Sequence, residues 1–109
     1  QTINNTAVTV ANFRAAVQTL GTPGNLRVIK RGRKVVNAGW QDQAAGETGF
    51  HVYRWTGTDW VLHQDFPADT TSGKITGLKP GKRYTFTLTS YSNSGESAAS
   101  NQLTVRTKR

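Results

Sequence analysis

The amino-acid sequence predicts an all-β domain, a seven-stranded antiparallel β-sandwich. Three observations carry this prediction: apolar residues alternate with polar ones from Asn25 onward, turn residues separate the alternating runs, and the runs recur roughly every ten residues. Short strands of this kind bury one face and leave the other in water, so they are typical of two packed antiparallel sheets.

Each predicted strand is identified by apolar residues at every second position. Threonine, valine and aromatic residues, which suit half-buried strands, dominate them. The longest run places Thr85, Thr87 and Thr89 between the apolar residues of the sixth strand. The apolar positions expected to face the core are Leu26 and Val28; Val36, Ala38 and Trp40; Phe50 and Val52; Trp60 and Leu62; Ile75 and Leu78; Tyr84, Phe86 and Leu88; and Leu103 and Val105.

Residues 1–23 are expected to form a separate linker or short helical segment, and residues 24–109 the sandwich. The first segment carries a single charge, Arg14, and ends in the turn sequence GTPG. Its apolar residues have the spacing of one helical face: Val10, Phe13, Val17 and Leu20. Because the chain begins with Gln1, we expect it to be part of a longer protein.

The composition argues against catalysis. The 109 residues include no cysteine, which excludes disulfides and thiolate sites. They include only two histidines and six acids. No motif of a nucleotide-binding loop, a zinc protease or a serine hydrolase occurs. His51 and His63 are expected to be solvated strand residues without acids in register. We therefore expect no catalytic residue, no metal and no cofactor.

Four sequence features occur together in a fixed order. Trp40 lies in the second strand, GFHVYR spans residues 49–54, LKPGKRY spans residues 78–84, and GESAASN spans residues 95–101. With these features, the stretch from Gly24 to Thr107 resembles a fibronectin type III domain. The GESAASN motif is similar to the corresponding motif of bacterial, phage and cell-surface members.

The resemblance implies an immunoglobulin-like sandwich without catalytic activity. Trp40 is then expected in the middle of the core, and the Tyr84 hydroxyl is expected to tie the corner before the sixth strand. Trp60, which opens the fourth strand, is interpreted as structural too. Pro80 and Gly81 suit a tight reversal, because proline fixes φ and glycine permits a positive φ.

In the fold that the resemblance implies, the charges separate to two ends. The turn after the first strand, the connection before the sixth strand and the last residues share one end, where most of the fourteen lysines and arginines lie. Most of the six acids lie at the other end. Clustered positive charge attracts anionic partners, although charged loops also serve solubility alone. The candidate anion-binding residues are Lys30, Arg31, Arg33, Lys34, Lys82 and Arg83.

A second candidate surface is aromatic. If Phe50 and Val52 point inward, the residues between and after them point outward, because strand side chains alternate. Tyr53, Trp55 and Tyr91 then form a candidate contact surface for sugar rings or for a partner domain. Alternatively, these rings only shield the sheet by cross-strand pairing.

The resulting functional prediction is a non-catalytic spacer or interaction module of a larger extracellular, cell-surface or virion protein, which orients or attaches neighbouring domains. Two alternatives stay open: an adhesion module that binds a polyanion or carbohydrate, and an accessory domain of a glycan-degrading enzyme. Expected partners are neighbouring domains, glycans or other polyanions, and further copies stacked head to tail. Specific nucleic-acid recognition is not expected, because the basic run 30–34 lacks interleaved aromatic residues. No run is long enough for a membrane span.

Overall fold

A computed structural model of the chain describes residues 20–93 and 95–109, and these form strands, turns and loops without a helix. The strands are β1 (Gly24–Arg31), β2 (Val36–Gln41), β3 (Gly49–Trp55), β4 (Trp60–Pro67), β5 (Ser72–Ile75), β6 (Arg83–Ser92), β7 (Gly95–Glu96) and β8 (Leu103–Arg106). All seven predicted strands are present, and the two-residue β7 adds an eighth. The predicted helical positions Val10, Phe13 and Val17 lie outside the described residues, and the boundary before Gly24 stays a prediction.

The strands form two antiparallel sheets. One has the order β1-β2-β5 and the other the order β4-β3-β6. Both β7 and β8 pair with β6, β7 near its end and β8 near its start. The predicted antiparallel β-sandwich is therefore confirmed.

Trp40 lies in the centre of the core with 2% of its surface exposed. Its ring meets the edge of Phe50 at a centroid distance of 5.7 Å and lies 5.2 Å from Phe66. The other buried apolar residues come from both sheets: Leu26, Val36, Ala38, Val52, Ile75, Leu78, Tyr84, Phe86, Leu88 and Val105. This placement of Trp40 confirms the sequence prediction.

The fourth strand departs from the predicted alternation. Val52 pairs with Gln64 but the next residue, Tyr53, pairs with Leu62, so β4 carries a β-bulge at His63. The extra residue shifts which side chains face inward. Phe66 consequently packs against the core, whereas Leu62 is 54% exposed and Trp60 is 36% exposed. The interpretation of Trp60 and Leu62 as core residues is therefore wrong.

Tyr84 closes the corner before β6. The backbone N–H of Lys79 donates to the Tyr84 hydroxyl at 2.8 Å, as the resemblance implies. The buried Thr107 hydroxyl donates to the Lys79 carbonyl at 2.6 Å and accepts from the N–H of Lys82 at 3.0 Å. Gly81 adopts φ 66°, a left-handed value that favours glycine. Two side chains thus hold one turn.

The three strands of the smaller sheet end or begin together at one pole. Arg31 pairs with Val36, which also pairs with Ile75, so β1 ends where β2 begins and β5 ends. The N–H of Lys108 donates to the carbonyl of Gly32 at 2.8 Å, which brings the residues after β8 to the same pole. We call this end the basic pole; it consists of residues 30–34, 79–83 and 106–109.

The other end of the sandwich is set by the remaining strand ends. Gly24 pairs with Gln41, and Gly49 pairs with both Pro67 and Tyr91. The loops that leave this end carry Asp42, Glu47 and Asp69, and the short strand β7 carries Glu96. We call it the acidic pole. Opposite charges therefore occupy opposite ends of the strands.

Candidate interaction surfaces

Hydrogen bonds to backbone carbonyls assemble the basic pole from three distant segments. The Arg31 guanidinium donates to the carbonyl of Arg106 at 3.0 Å, and the Arg33 guanidinium donates to the carbonyl of Arg109 at 3.1 Å. The N–H of Gly81 donates to the carbonyl of Lys108 at 2.9 Å. The turn after β1, the corner before β6 and the end of the chain thus form one surface.

The structure places all six predicted anion-binding residues on this surface, and each is exposed: Lys30, Arg31, Arg33, Lys34, Lys82 and Arg83. The Lys82 ammonium lies 5.3 Å from the centre of the Tyr84 ring, a cation–π distance. Among the described residues, no aspartate or glutamate pairs with a cation of this pole. The positive charge is therefore open to an external anion.

Lys74 belongs to the same surface and was missed by the sequence analysis. Asn37 pairs with Lys30 on one side and with Lys74 on the other, so all three side chains share one face of the three-stranded sheet. Which residues lie side by side on adjacent strands depends on the strand register. The alternation pattern alone therefore could not show that Lys74 lies beside Lys30.

The acidic pole contains a cluster of three carboxylates. Oxygens of Asp42, Glu47 and Asp69 lie within 4.8 Å of one another, and Glu47 is only 7% exposed. Burial, together with the neighbouring Glu47, raises the pKa of Asp42. Burial alone would also raise the pKa of Glu47, but hydrogen bonds, including one from the N–H of Asp69 at 3.0 Å, hold that pKa below its ordinary value. The folded structure therefore disfavours the ionised form of Asp42.

The predicted aromatic residues all lie on the outer face of the larger sheet, but they form two groups. Tyr91 stacks flat on His51 with ring centroids 3.8 Å apart, and His51 meets Tyr53 at 6.0 Å. Trp55, 40% exposed, instead pairs across the strands with Trp60 at 5.2 Å. The sequence analysis did not include Trp60 in this surface.

His51 differs from its predicted environment. Asp65 pairs with it in register, and His51 Nδ1 lies 2.6 Å from the Asp65 carboxylate. The expectation that neither histidine has an acid in register is wrong for His51, because the bulge at His63 decides which residue of β4 lies opposite.

A hydrogen-bonded group holds Glu96 against the sheet. One carboxylate oxygen, Oε2, accepts hydrogen bonds from the Tyr53 hydroxyl at 2.5 Å and from the Thr89 hydroxyl at 2.6 Å. Burial and the hydrogen bond to Glu96 raise the pKa of Tyr53 to about 12, so its hydroxyl stays a donor at neutral pH. The other oxygen, Oε1, makes no hydrogen bond within the described residues.

Beside this group runs a groove of about 360 Å³. Tyr53 and Trp60 form one wall, and Thr87 and Thr89 form part of the floor. A second hollow of about 270 Å³ adjoins it, because both are lined by Trp60 and Gln102. The threonine alternation in the sixth strand was visible in the sequence, but the walls depend on register and on residues 96–102.

A family model of the fibronectin type III domain matches residues 21–106. The chain belongs to the fibronectin type III family. Domains of this family are generally non-catalytic modules within multidomain proteins. No curated protein matches the chain. Within the described residues, no helix has the length and apolar character needed to span a membrane.

Solved structures agree with this assignment. The fibronectin type III domain superposes on titin domains A168–A170 with a TM-score of 0.71 at 21% identity, covering 83% of this chain and 32% of that one. For the chicken CNTN1 FN1–FN3 domains the TM-score is 0.70 at 17% identity, covering 83% and 31%. For the domain of human fibronectin type III domain containing protein 3 it is 0.68 at 14%, covering 82% and 86%. The chain spans about a third of the titin and CNTN1 chains. These likenesses establish the fold.

Proposed function

We propose that this domain is a non-catalytic spacing and interaction module of a larger extracellular, cell-surface or virion protein, and that its basic pole docks on an acidic surface of a neighbouring domain or of a second copy. The observation that carries the proposal is the separation of charge to opposite ends of the sandwich. Lysines and arginines that pair with no aspartate or glutamate of the described residues crowd one pole, and Asp42, Glu47, Asp69 and Glu96 lie at the other.

Complementary poles orient association. When positive and negative ends face one another, electrostatic attraction speeds encounter and fixes which ends meet, while wrong orientations bring like charges together. The same geometry fits a head-to-tail arrangement of copies and a contact between consecutive domains of one chain. Such contacts weaken at high ionic strength, since exposed charges are screened within about 8 Å in 0.15 M salt.

Sedimentation of the full chain at low and high salt tests the docking. We expect head-to-tail self-association at low salt and high protein concentration, and a monomer at high salt. Arg33→Glu should remove the association. Arg27→Glu is the matched control, because it changes the net charge by the same amount at an exposed position outside the basic pole. A monomer at every salt concentration would contradict docking between copies, and an equal effect of both variants would contradict a contact through the basic pole.

A second candidate is an adhesion module whose basic pole binds a polyanion. A surface hollow lined by Lys30, Arg31 and Lys74 favours this candidate. Retention on heparin should then fall steeply with salt, because each neutralised anion releases counterions. Arg33→Glu should lower the salt concentration of elution, and Arg27→Glu should lower it less. Retention that is equal in the two variants would contradict a site at this pole.

A third candidate is an accessory domain of a glycan-degrading enzyme. In that role the domain only separates other domains. We then expect no self-association, and heparin retention no stronger than that of a protein of the same net charge. The two experiments above therefore distinguish the three candidates.

A further inference from the structure

We propose that the groove on the outer face of the larger sheet binds a neutral saccharide, with a sugar ring packed on Trp60 and its hydroxyls bonded to Glu96 and Gln102. This inference is independent of the proposed docking of the poles, because the groove uses none of the cations of the basic pole. Absence of saccharide binding by itself would leave the docking proposal standing, and absence of self-association would leave this inference standing.

The charge of the groove selects a neutral ligand. The molecule carries a net charge of +8, yet no lysine or arginine among residues 20–93 and 95–109 lines either hollow. Glu96 is the one charged lining residue in this part of the chain. A polyanion would meet this carboxylate without a compensating cation, and a cationic ligand would be repelled by the rest of the molecule. A neutral molecule that donates hydrogen bonds suits the site.

The free hydrogen-bonding groups match hydroxyls. Tyr53 and Thr89 hold Glu96 through Oε2, so the carboxylate is fixed before a ligand arrives and its Oε1 is left to accept. Within the described residues, the Gln102 side chain makes no hydrogen bond, so its amide offers both a donor and an acceptor. A polyol satisfies both the acceptors and the donor, since each of its hydroxyls both donates and accepts.

Trp60 and Trp55 supply the apolar counterpart. Both indoles are more than a third exposed although they pack on each other, so part of each ring is accessible to a ligand. A pyranose ring has one flat face of C–H bonds and a rim of hydroxyls. The flat face removes aromatic surface from water, and the rim reaches the polar groups beside it.

The size of the groove fits more than one ring. The larger hollow, about 360 Å³, already lies within the range of about 300–1,000 Å³ that is usual for ligand sites. The two hollows follow β6 from Thr89 to Thr85, four residue steps or about 13 Å at about 3.3 Å per residue. This length accommodates a short stretch of a neutral oligosaccharide.

Isothermal titration calorimetry of the full chain with cellopentaose, xylopentaose, mannopentaose and chitopentaose tests the inference. The salt concentration is kept at about 0.5 M, so that pole contacts are screened. We expect saturable binding of at least one probe. Trp60→Ala should weaken that binding by about tenfold or more, and Glu96→Gln by a smaller factor, because the amide keeps an acceptor but loses the charge.

Two controls separate the groove from its surroundings. Leu62→Ala removes an exposed side chain of the same sheet face that does not line either hollow, and it should leave the affinity unchanged. Arg33→Glu, at the basic pole, should also leave it unchanged. Circular dichroism and the melting temperature verify that Trp60→Ala is folded.

Three results would overturn the inference. The first is the absence of saturable binding for all four probes up to about 10 mM. The second is binding that Trp60→Ala leaves intact. The third is a combination of two observations: the unchanged chain binds no saccharide, and Trp60→Ala loses the salt-sensitive self-association. That combination would make this face a protein-docking surface.

Discussion

Asn101 binds the backbone of Leu26 through both halves of its side-chain amide. The N–H of Leu26 donates to Asn101 Oδ1 at 2.8 Å, and Asn101 Nδ2 donates to the carbonyl of Leu26 at 3.0 Å. The two residues are 75 positions apart. The amide therefore joins β1 of the smaller sheet to the segment before β8 of the larger one, and it occupies backbone groups that an edge strand would leave unpaired.

Asn101→Ala should lower the free energy of unfolding by about 1–3 kcal/mol, because a half-buried N–H and a carbonyl lose their partners. Urea denaturation measures the change. Gln102→Ala, at the next residue, is the control and should change stability by less than about 0.5 kcal/mol. Equal effects of the two substitutions would show that the amide of Asn101 does not hold β1.

Trp40 and Trp60 should differ strongly in their contribution to stability. Trp40→Ala should cost about 3–5 kcal/mol, because it empties the centre of the core, whereas Trp60→Ala should cost about 1 kcal/mol or less. The Trp40 indole N–H has no acceptor within the described residues, so Trp40→Phe should cost clearly less than Trp40→Ala. Chemical denaturation of the three variants checks the order. A loss for Trp60→Ala as large as that for Trp40→Ala would contradict it.

Asp42→Asn should stabilise the domain at pH 7 and have little effect at pH 3. Since the fold raises the pKa of Asp42 above the ordinary value of 3.8, its contribution to stability is present below that pH and is lost as the pH rises. Asparagine keeps the oxygen that accepts from the N–H of Ala44 at 3.0 Å. We expect a small gain, because solvent around this partly exposed carboxylate screens its repulsion.

Glu47→Gln provides the opposite case. The fold lowers the pKa of Glu47, so its contribution is present above the ordinary value and is lost as the pH falls. Melting temperatures of both variants across pH 3–7 give the two signs. A destabilising effect of Asp42→Asn at pH 7 would contradict the arrangement described for the acidic pole.

Glu96→Gln should lower the pKa of Tyr53 from about 12, although not fully to 10.0, because burial remains the larger cause. The titration is followed by ultraviolet difference absorption, with Tyr53→Phe used to assign the signal. Because the fold raises this pKa, the stability that Tyr53 contributes is present below about pH 10 and is lost as the pH rises through about 12. An unchanged tyrosine titration in Glu96→Gln would argue against the hydrogen bond.

The strands and most of the core could be predicted because alternation is a local property of the chain. Trp40, Phe50 and Leu88 lie where the period of two places them. Trp60 could not be placed in this way, since the bulge at His63 reverses the alternation along one strand and leaves no clear mark in the sequence. The predicted fold was right, and the orientation of one strand was wrong.

The candidate surfaces depend on the register between strands to different degrees. The basic pole could be predicted from topology alone, because its residues lie at strand ends. Lys74, the pairing of His51 with Asp65, and the groove beside Trp60 each require knowing which residue lies opposite which. Such pairings arise from packing across the whole sandwich, and they become visible only in the folded structure.

The antiparallel strands that carry the charges to opposite poles also determine how the domain responds to force. β1 starts at the acidic pole and β8 ends at the basic pole. Tension between Gly24 and Arg106 therefore acts along the strand axes, and the hydrogen bonds from β1 to β2 and from β6 to β8 resist it together instead of opening one after another. Pulling on these two residues therefore loads the terminal strands in shear.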